Sequence, residues 1–386
     1  MMTRINICYK FLVIICLFLS ITACQPKKDS NSEEMIHTSN SKDNETSQEV
    51  DVNKETKITV RSIGDILLHD GVYYNGMTDN GYNFDKMFKK VKPFIKNADI
   101  STANLETIAA GEEIGVSTYP TFNAPSEIID TLKNVGVDII NNATNHTMDR
   151  GPEGAHLSID KLKEKKMMYV GSYESWDDYN TPRVIEVDGV KVGFLAYTYG
   201  LNGNYLPEEE RYLATLIDKE LIDLEIKRLK KFADVTIVMV HSGEEYEPLP
   251  SAYQEEIFQV CKKAGANFVL GGHPHVLEPG IIWNDSQAAI YSHGNFLSGQ
   301  VGLDQKIGSI WEYTFKIDKD KEVTIDSMRM MPTYNLGYPE FENFSVIPLA
   351  DAREYNVVDV DQKLESIKTL MQTYNKEIEV LEYLEN

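Results

Sequence analysis

The feature that most constrains this chain is a set of metal-binding side chains at the ends of five apolar strand segments. The segments lie far apart in the sequence, so only tertiary folding can bring their ends together. In open α/β sheets, ligands bind in the crevice at the carboxyl ends of the strands. Such a fold would collect two carboxylates, an amide and four imidazoles, a mixture that binds divalent metals. The segments end at Asp65 (IGD), Glu106 (TANLE), Asn145 and His146 (NNATNH), His241 (VMVHSGEEY), and His273 and His275 (VLGGHPH).

The order of the predicted elements favours an α/β fold. From Lys57 to Lys166, apolar strand segments alternate with amphipathic helical segments. Two alternating runs around Asp188-Gly189 predict a β-hairpin, and later segments add antiparallel strands. We therefore expect one folded domain over residues 57–350, with two mixed sheets packed face to face and helices outside them.

The beginning of the chain predicts export and a membrane anchor. A basic start and an apolar run over residues 11–19, shorter than the roughly 20 residues that span a bilayer, precede Cys24. This arrangement is typical of a lipoprotein signal peptide over residues 1–23, cleaved so that Cys24 receives lipid; an ordinary signal peptide or an uncleaved anchor is the alternative. Residues 24–56, almost devoid of apolar side chains, predict a disordered tether. We expect a lipid-anchored protein on the extracytoplasmic face of the cell membrane.

The net charge limits the classes of molecule that the chain can bind, and the cysteine content limits its disulfide bonds. The formal net charge is −22, and loss of the signal peptide would make it −24. Such a surface repels nucleic acid and anionic lipid headgroups, so a phosphate ligand would need a local cation, which a bound metal supplies. Apart from the signal peptide and Cys24, the single cysteine is Cys261, and no disulfide framework is expected. Cys261 lies in an amphipathic helical segment and is interpreted as core packing rather than as a nucleophile.

Each strand end also has a structural explanation when taken alone. The histidine pair of HPH is of a kind that also occurs on surfaces, Asn145 could cap the following segment, and His241 could be a hydrogen-bonded core histidine. Asp65 or Glu106 alone could be a cap or a salt-bridge partner. Two carboxylates that meet in one crevice, however, repel each other unless a cation lies between them. The combination of all five ends therefore favours a metal site.

Three further residues are candidates for roles around this site. His146, next to Asn145, is placed to give a proton to a leaving group. Asp149 either orients His146 or begins the helix predicted near Pro152. Glu245 follows His241 by four positions and is a further candidate site residue.

The last segment, residues 351–386, predicts an amphipathic helix of about six turns, because its apolar residues recur at alternating spacings of four and three. We expect this helix to pack on the domain; a coiled-coil contact with a partner is the alternative. The apolar positions are Val360, Leu364, Ile367, Met371, Tyr374, Ile378 and Leu381.

Seven short motifs between Lys57 and Pro348 resemble, in their order, the CapA family of bacterial capsule (poly-γ-glutamate) synthesis proteins. They are GDILLHD, NLE, YPTFNAP, NHTMDRG, HSGEEY, GGHPHVLEP and YSHGNF. That family resembles a branch of the calcineurin-like metallophosphoesterases, which implies a four-layer α/β/β/α sandwich with a two-metal site. The resemblance implies His146 near the leaving group and metal ligands at Asp65, Glu106, Asn145, His241, His273 and His275.

Two positions depart from the phosphoesterase pattern that the resemblance implies. Those enzymes open with Asp-x-His, whereas Leu67 stands in the position of the histidine. His69 either swings in to replace it or has a loop or orienting role. Glu106 stands where the bridging residue is usually an aspartate. Both departures bear on ordinary phosphatase activity more than on metal binding.

Two functions are compatible with these residues. The first is a metal-dependent hydrolase tethered outside the membrane, in which two divalent ions (Mn, Fe or Zn) activate water to attack a phosphoester or the amide of an anionic capsule polymer. His146 would be the general acid. The second is a non-catalytic subunit of a membrane polymer synthase or exporter that holds the polymer in a metal-lined cleft. A receptor that only reuses the fold is a third, lesser option.

Overall fold

The structure is a computed structural model, and it describes residues 55–337 and 342–386. The predicted signal peptide over residues 1–23, the predicted lipid attachment at Cys24 and the predicted tether up to residue 54 lie outside the described residues. All described residues fall in one unit of the chain. None of their helices has the length and apolar character needed to cross a bilayer.

The larger sheet of the described chain has nine strands. They are β1 (Thr56–Leu67), β4 (Ile100–Leu105), β5 (Ile139–Asn141), β6 (Met168–Val170), β13 (Asn295–Ser298), β14 (Ile307–Ile317), β15 (Val323–Leu336), β16 (Ser345–Pro348) and β17 (Glu379–Val380). Strands β1, β4, β5 and β6 run parallel in this order, so their carboxyl ends lie along one edge. On its other side, β1 pairs antiparallel with β14 and, at its end, parallel with β13.

The smaller sheet has six described strands and is also mixed. They are β7 (Arg183–Val187), β8 (Val190–Thr198), β9 (Val235–His241), β10 (Phe268–Gly272), β11 (Leu277–Asn284) and β12 (Gln287–His293). The four inner strands are parallel, and β7 and β11 are antiparallel edge strands. The predicted hairpin at Asp188-Gly189 joins β7 to β8, with both turn residues at positive φ. A separate two-stranded hairpin consists of β2 (Met77–Thr78) and β3 (Gly81–Tyr82).

Helices connect the parallel strands. The described α-helices are α1 (Asp70–Gly76), α2 (Asp85–Phe88), α3 (Lys92–Lys96), α4 (Glu127–Val135), α5 (Gly151–Glu164), α6 (Trp176–Asn180), α7 (Lys219–Leu229), α8 (Ala252–Ala264) and α9 (Val360–Met371). Short 3-10 helices cover Glu112–Ile114, Glu208–Leu213, Asp304–Lys306 and Leu349–Tyr355. Local sequence sets the ends of α8: Ser251 and Gln254 form a capping box, and Gly265 adopts the left-handed conformation after the last turn.

Two apolar clusters hold the layers together. Between the sheets, the ring of Phe268 from β10 packs on Tyr313 and Phe315 from β14, with ring centroids 4.5 and 5.6 Å apart. A second cluster packs α7 and α8 on the other face of the smaller sheet and contains buried Cys261, in line with a packing role. Buried residues of α4 and α5 extend the first cluster over the larger sheet. The predicted α/β class and its helix–sheet–sheet–helix layering are confirmed.

The C-terminal segment differs from the single long helix that its spacing predicts. Helix α9 ends at Met371, and the short strand β17 follows and pairs with β15. The side chain of Asn375 makes two hydrogen bonds with the backbone of Ile282, and Gln372 Nε2 donates to the carbonyl of Ile378. These side-chain bonds to the backbone compete with helical hydrogen bonds and turn the chain. Val360, Ile367 and Met371 are buried, so α9 packs on the domain.

Candidate metal centre

The carboxyl ends of strands from both sheets meet, and they bring the six predicted ligand residues together. Asp65 lies near the end of β1, Glu106 directly follows β4, and His241 is the last residue of β9. The turn after β5 supplies Asn145, and the turn after β10 supplies the histidine pair. All six residues are at most 4% exposed: Asp65, Glu106, Asn145, His241, His273 and His275.

Glycine and strained backbone make this convergence possible. A Cβ atom at Gly272 would lie 2.6 Å from Asp65 Oδ1 and 2.7 Å from Asn104 Nδ2, so only glycine lets β10 approach the carboxylate. The next residues, His273 and His275, have φ values of 100° and 61°. Positive φ is costly for such side chains and recurs at functional sites. The backbone N–H of His273 donates to Asp65 Oδ2 at 3.2 Å.

Glu106 lies at the centre of the cluster, and its two oxygens face different residues. Oε1 lies 3.2 Å from His241 Nε2 and 3.9 Å from His273 Nδ1. Oε2 lies 3.6 Å from His275 Nδ1. Among the described residues, neither carboxylate oxygen nor His273 Nδ1 has a hydrogen-bond partner. A buried carboxylate without hydrogen bonds is costly unless a cation compensates it.

The ligand atoms therefore form two groups that share Glu106. The Oε1 group contains Glu106 Oε1, Asn145 Oδ1, His241 Nε2 and His273 Nδ1, with Asn145 Oδ1 2.9 Å from His241 Nε2. The Oε2 group contains Glu106 Oε2, Asp65 Oδ2 and His275 Nδ1, and the nitrogen lies 3.6 Å from each oxygen. Three ligand atoms, one each from Glu106, His273 and His275, also lie within 4.8 Å of one another. The unpartnered atoms and the mixed oxygen and nitrogen donors fit divalent metal ions on both sides of Glu106.

Burial and neighbouring charges shift pKa values in both groups: burial would lower the pKa of His275, but Glu106 and Asp65 outweigh burial and raise it. Burial would raise the pKa of Glu106, but His275 and His241 outweigh burial and hold this pKa well below its usual range. Burial and the charge of Glu106 raise the pKa of Asp65 to about 7. Burial lowers the pKa of His241 and of His273, which favours the neutral imidazole that can bind a metal.

His146 and Asp149 form a hydrogen-bonded pair beside the cluster. His146 Nδ1 lies 2.7 Å from Asp149 Oδ2 and 3.3 Å from Asn202 Nδ2. Because a carboxylate only accepts, the shorter contact assigns the proton to Nδ1 and leaves Nε2 for proton exchange. Asp149 Oδ2 also accepts from the backbone of Phe122, whose ring packs edge-on against His146 at 4.7 Å. Asp149 thus orients His146 rather than capping α5.

A cleft of about 590 Å³ leads to the cluster and contains the remaining candidates. His275, His146, Leu67, His69 and Glu245 all line it. His69 lies in the wall: its Nδ1 accepts from the backbone N–H of Gly299 at 3.2 Å, and its ring packs edge-on against Phe122. The Nδ1 atom of His69 is thus held by the wall of the cleft. No lysine or arginine is among the described residues that line the cleft.

Several asparagines at the site have no role in the sequence-based prediction. Asn104 Nδ2 donates to Asp65 Oδ1 at 2.6 Å and lies 3.1 Å from His241 Nδ1, and Asn141 donates to Asn104. Asn202 contacts both Asn145 and His146. Asn295 Oδ1 lies 3.0 Å from His275 Nδ1. The motifs NLE and YSHGNF contain Asn104 and Asn295, but nothing local in the sequence marks Asn202.

Comparison with known sequences gives one family match and two curated relatives. A family model described as "Bacterial capsule synthesis protein PGA_cap" matches residues 59–300. Capsule biosynthesis protein CapA of Bacillus anthracis is 28% identical over 267 residues, covering 67% of this chain and 64% of that protein. PGA biosynthesis protein CapA of Bacillus subtilis (strain 168) is 27% identical over 263 residues, covering 66% of this chain and 67% of that protein. The chain thus spans just under two thirds of the length of the first relative.

Two solved structures also align with this chain, at low similarity. A putative 5'-nucleotidase from Staphylococcus aureus has a TM-score of 0.46 and 14% identity, covering 81% of this chain and 58% of that one. The Haemophilus influenzae NAD nucleotidase (NadN) has a TM-score of 0.46 and 12% identity, covering 86% of this chain and 65% of that one.

Proposed function

The chain belongs to the bacterial capsule synthesis protein family PGA_cap, and we propose that it acts in capsule polymer biosynthesis as a divalent-metal-dependent hydrolase. The observation that carries this proposal is the pair of ligand groups on the two sides of Glu106, with buried donor atoms that no described residue satisfies. The proposed substrate is an anionic, poly-γ-glutamate-like polymer or a phosphoester. Because the described cleft lining has no lysine or arginine, an anionic group that reaches the cluster depends on bound cations.

The residues of the cluster have separate roles in this proposal. The Oε1 group and the Oε2 group would each hold one divalent ion (Mn, Fe or Zn), with Glu106 between them. The chemistry that such ions supply is polarisation of the scissile group and activation of water. His146 Nε2 would deliver a proton to the leaving group, and Asp149 would hold the ring in the orientation for that transfer.

A non-catalytic role is the second candidate, and Leu67 favours it. This leucine is 2% exposed and lines the cleft beside the Oε2 group, so its apolar side chain supplies no ligand there. A centre with one weakly held ion could bind an anionic polymer without cleaving it. The protein would then be an accessory subunit of a membrane polymer synthase or exporter.

The cellular location of the protein is also a proposal. Its support is the sequence of the first 24 residues, with a short apolar run over residues 11–19 that precedes Ala23-Cys24. Lipid on Cys24 would hold the domain at the extracytoplasmic face of the cell membrane, and the polar segment up to residue 54 would let the domain reach away from the membrane.

Metal analysis and activity assays separate these functions. The mature chain, purified without chelator, is analysed for bound metals and assayed on phosphodiester and γ-glutamyl model substrates beside Asp65→Ala and His275→Ala. If the protein is a hydrolase, the wild-type chain should bind metal and turn over one of the two substrate classes, and both variants should lose that turnover. Metal binding without turnover supports the accessory role. A protein that stays metal-free at micromolar Mn²⁺ and Zn²⁺ contradicts both.

A further inference from the structure

The two ligand groups are unequal if only the predicted residues are counted. The Oε1 group has four protein atoms, whereas the Oε2 group has three because Leu67 supplies none. His69 Nδ1 is held by the loop at Gly299, so this nitrogen does not face the Oε2 group. A fourth atom for the Oε2 group would have to come from another element beside Asp65.

Asn295 occupies that place. It begins β13, which runs parallel to β1, and its Cα is in register with that of Asp65. The strands approach closely here: Asp65 N–H donates to Gly294 O at 2.9 Å, and a Cβ atom at Gly64 would lie 2.0 Å from that same oxygen. The glycine at position 64 therefore allows Asn295 and Asp65 to lie side by side. Both side chains are fully buried.

The hydrogen bonds of Asn295 fix which end of its amide faces the cluster. Its Nδ2 lies 2.9 Å from Gln300 Oε1 and 2.9 Å from the carbonyl oxygen of Gln305. A carbonyl oxygen only accepts, so this end of the amide must be the nitrogen. Asn295 Oδ1 therefore points the opposite way, towards His275 Nδ1 at 3.0 Å.

The distances around His275 Nδ1 are those of ligands that share one ion. This nitrogen lies 3.0 Å from Asn295 Oδ1 and 3.6 Å from both Asp65 Oδ2 and Glu106 Oε2. Atoms bound at about 2.0–2.2 Å to one ion are separated by about 2.8–3.6 Å in octahedral or tetrahedral coordination. Each of the three oxygens thus lies at a distance from His275 Nδ1 that two ligands of one ion can have.

We propose that Asn295 Oδ1 is a metal ligand that completes the Oε2 group, in the place that Leu67 leaves vacant. This inference rests on the proposed metal centre. The competing role is that Asn295 only orients His275 by accepting its Nδ1–H. However, Nδ1 is also the nitrogen that faces both carboxylates, at 3.6 Å from each. Asn295 Oδ1 therefore approaches the same ring nitrogen as the two other oxygens of the group, at 3.0 Å.

Calorimetric titration of the mature chain with Mn²⁺ alone is the first test. Asn295→Leu should weaken one of two binding events by about tenfold or more and leave the other unchanged, which also shows that the variant is folded. Asn335→Leu is the matched control, because Asn335 Nδ2 donates to the backbone oxygen of Asn295 without facing the ligand group. Two unchanged affinities in Asn295→Leu overturn the inference but leave the proposed function standing. A wild-type chain that binds no Mn²⁺ overturns both.

A cysteine variant distinguishes a ligand from a positioning residue. In Asn295→Cys, a ligating thiolate should give a sulfur-to-cobalt charge-transfer absorption when Co²⁺ is added. The native Cys261 should add little to this absorption, because it is fully buried in α8, where burial raises its thiol pKa to about 12. Asn335→Cys and the wild type should lack the band. If Asn295→Leu weakens binding while Asn295→Cys gives no band, Asn295 acts through His275 and the inference is wrong.

Discussion

Glu106→Gln is the substitution with the most specific consequence in this structure. The change preserves the size of the side chain but removes the negative charge that both ligand groups share. It also places an NH₂ group, which cannot bind a metal, at one of two positions that lie 3.2–3.9 Å from histidine nitrogens. Because one residue serves both groups, we expect both to lose their metal affinity together.

The expected size follows from the linkage between binding and folding. An ion supplied at 100 times its dissociation constant stabilises the folded state by about 2.7 kcal/mol. For a folded unit of about 330 residues, the entropy of unfolding is about 0.7 kcal/mol per kelvin. Each bound ion should therefore raise the wild-type Tm by about 4 °C. Glu106→Gln should show a rise below about 1 °C under the same conditions.

Thermal unfolding with chelator and with added Mn²⁺ or Zn²⁺ measures this difference. Glu278→Gln is the matched control: Glu278 is also 0% exposed, but it belongs to neither ligand group, and burial raises its pKa to about 8. It is thus mostly protonated at neutral pH, and a glutamine imitates that form. Its metal-dependent rise in Tm should equal that of the wild type. An equal rise in Glu106→Gln would refute the role of Glu106 as the shared ligand.

Three further predictions concern single side chains. Burial raises the pKa of Glu278 from an ordinary 4.5 to about 8 in the folded state, so protonated Glu278 stabilises the fold fully below pH 4.5, and this stabilisation is lost as the pH rises through 8. In urea unfolding, the free energy of unfolding should fall by about 2 kcal/mol between pH 6 and pH 8, and Glu278→Gln should remove this fall. Leu67→His adds an imidazole beside Asp65, and the weaker Mn²⁺ affinity should rise about tenfold by calorimetry; no change would place position 67 outside the centre. Asp149→Asn releases His146, and turnover should fall about 10- to 100-fold with metal content unchanged; loss of metal would contradict this.

The convergence of these ligand-type side chains was predictable, because each segment carries its own signal in the sequence. An apolar strand that ends on a carboxylate or a histidine is visible in the sequence, and the rule that ligands bind at carboxyl ends places all five ends together. The mixed α/β class was predictable for a similar reason, since the alternation of strands and helices is local. Asp65 and His241 therefore appear where the sequence predicts them, 0% exposed at the ends of β1 and β9.

The supporting asparagines were not predictable, because their roles depend on long-range register. Asn295 matters only through its pairing with Asp65, 230 positions earlier in the chain, and an asparagine is equally common in turns. Asn202 reaches His146 from the loop after β8. The predicted length of the C-terminal helix was wrong for another reason. The apolar spacing continues past Met371, but the side chain of Asn375 forms hydrogen bonds with the backbone of β11 instead of continuing the helix.

The proposed metal centre joins the ends of five strands around Glu106. Anomalous diffraction from crystals of the mature chain soaked in Mn²⁺, recorded at the manganese absorption edge, tests it most directly. We expect two peaks, one between Glu106 Oε1, Asn145, His241 and His273, and the other between Glu106 Oε2, Asp65 and His275. A cleft without an anomalous peak at millimolar Mn²⁺, or peaks confined to surface carboxylates, would contradict it.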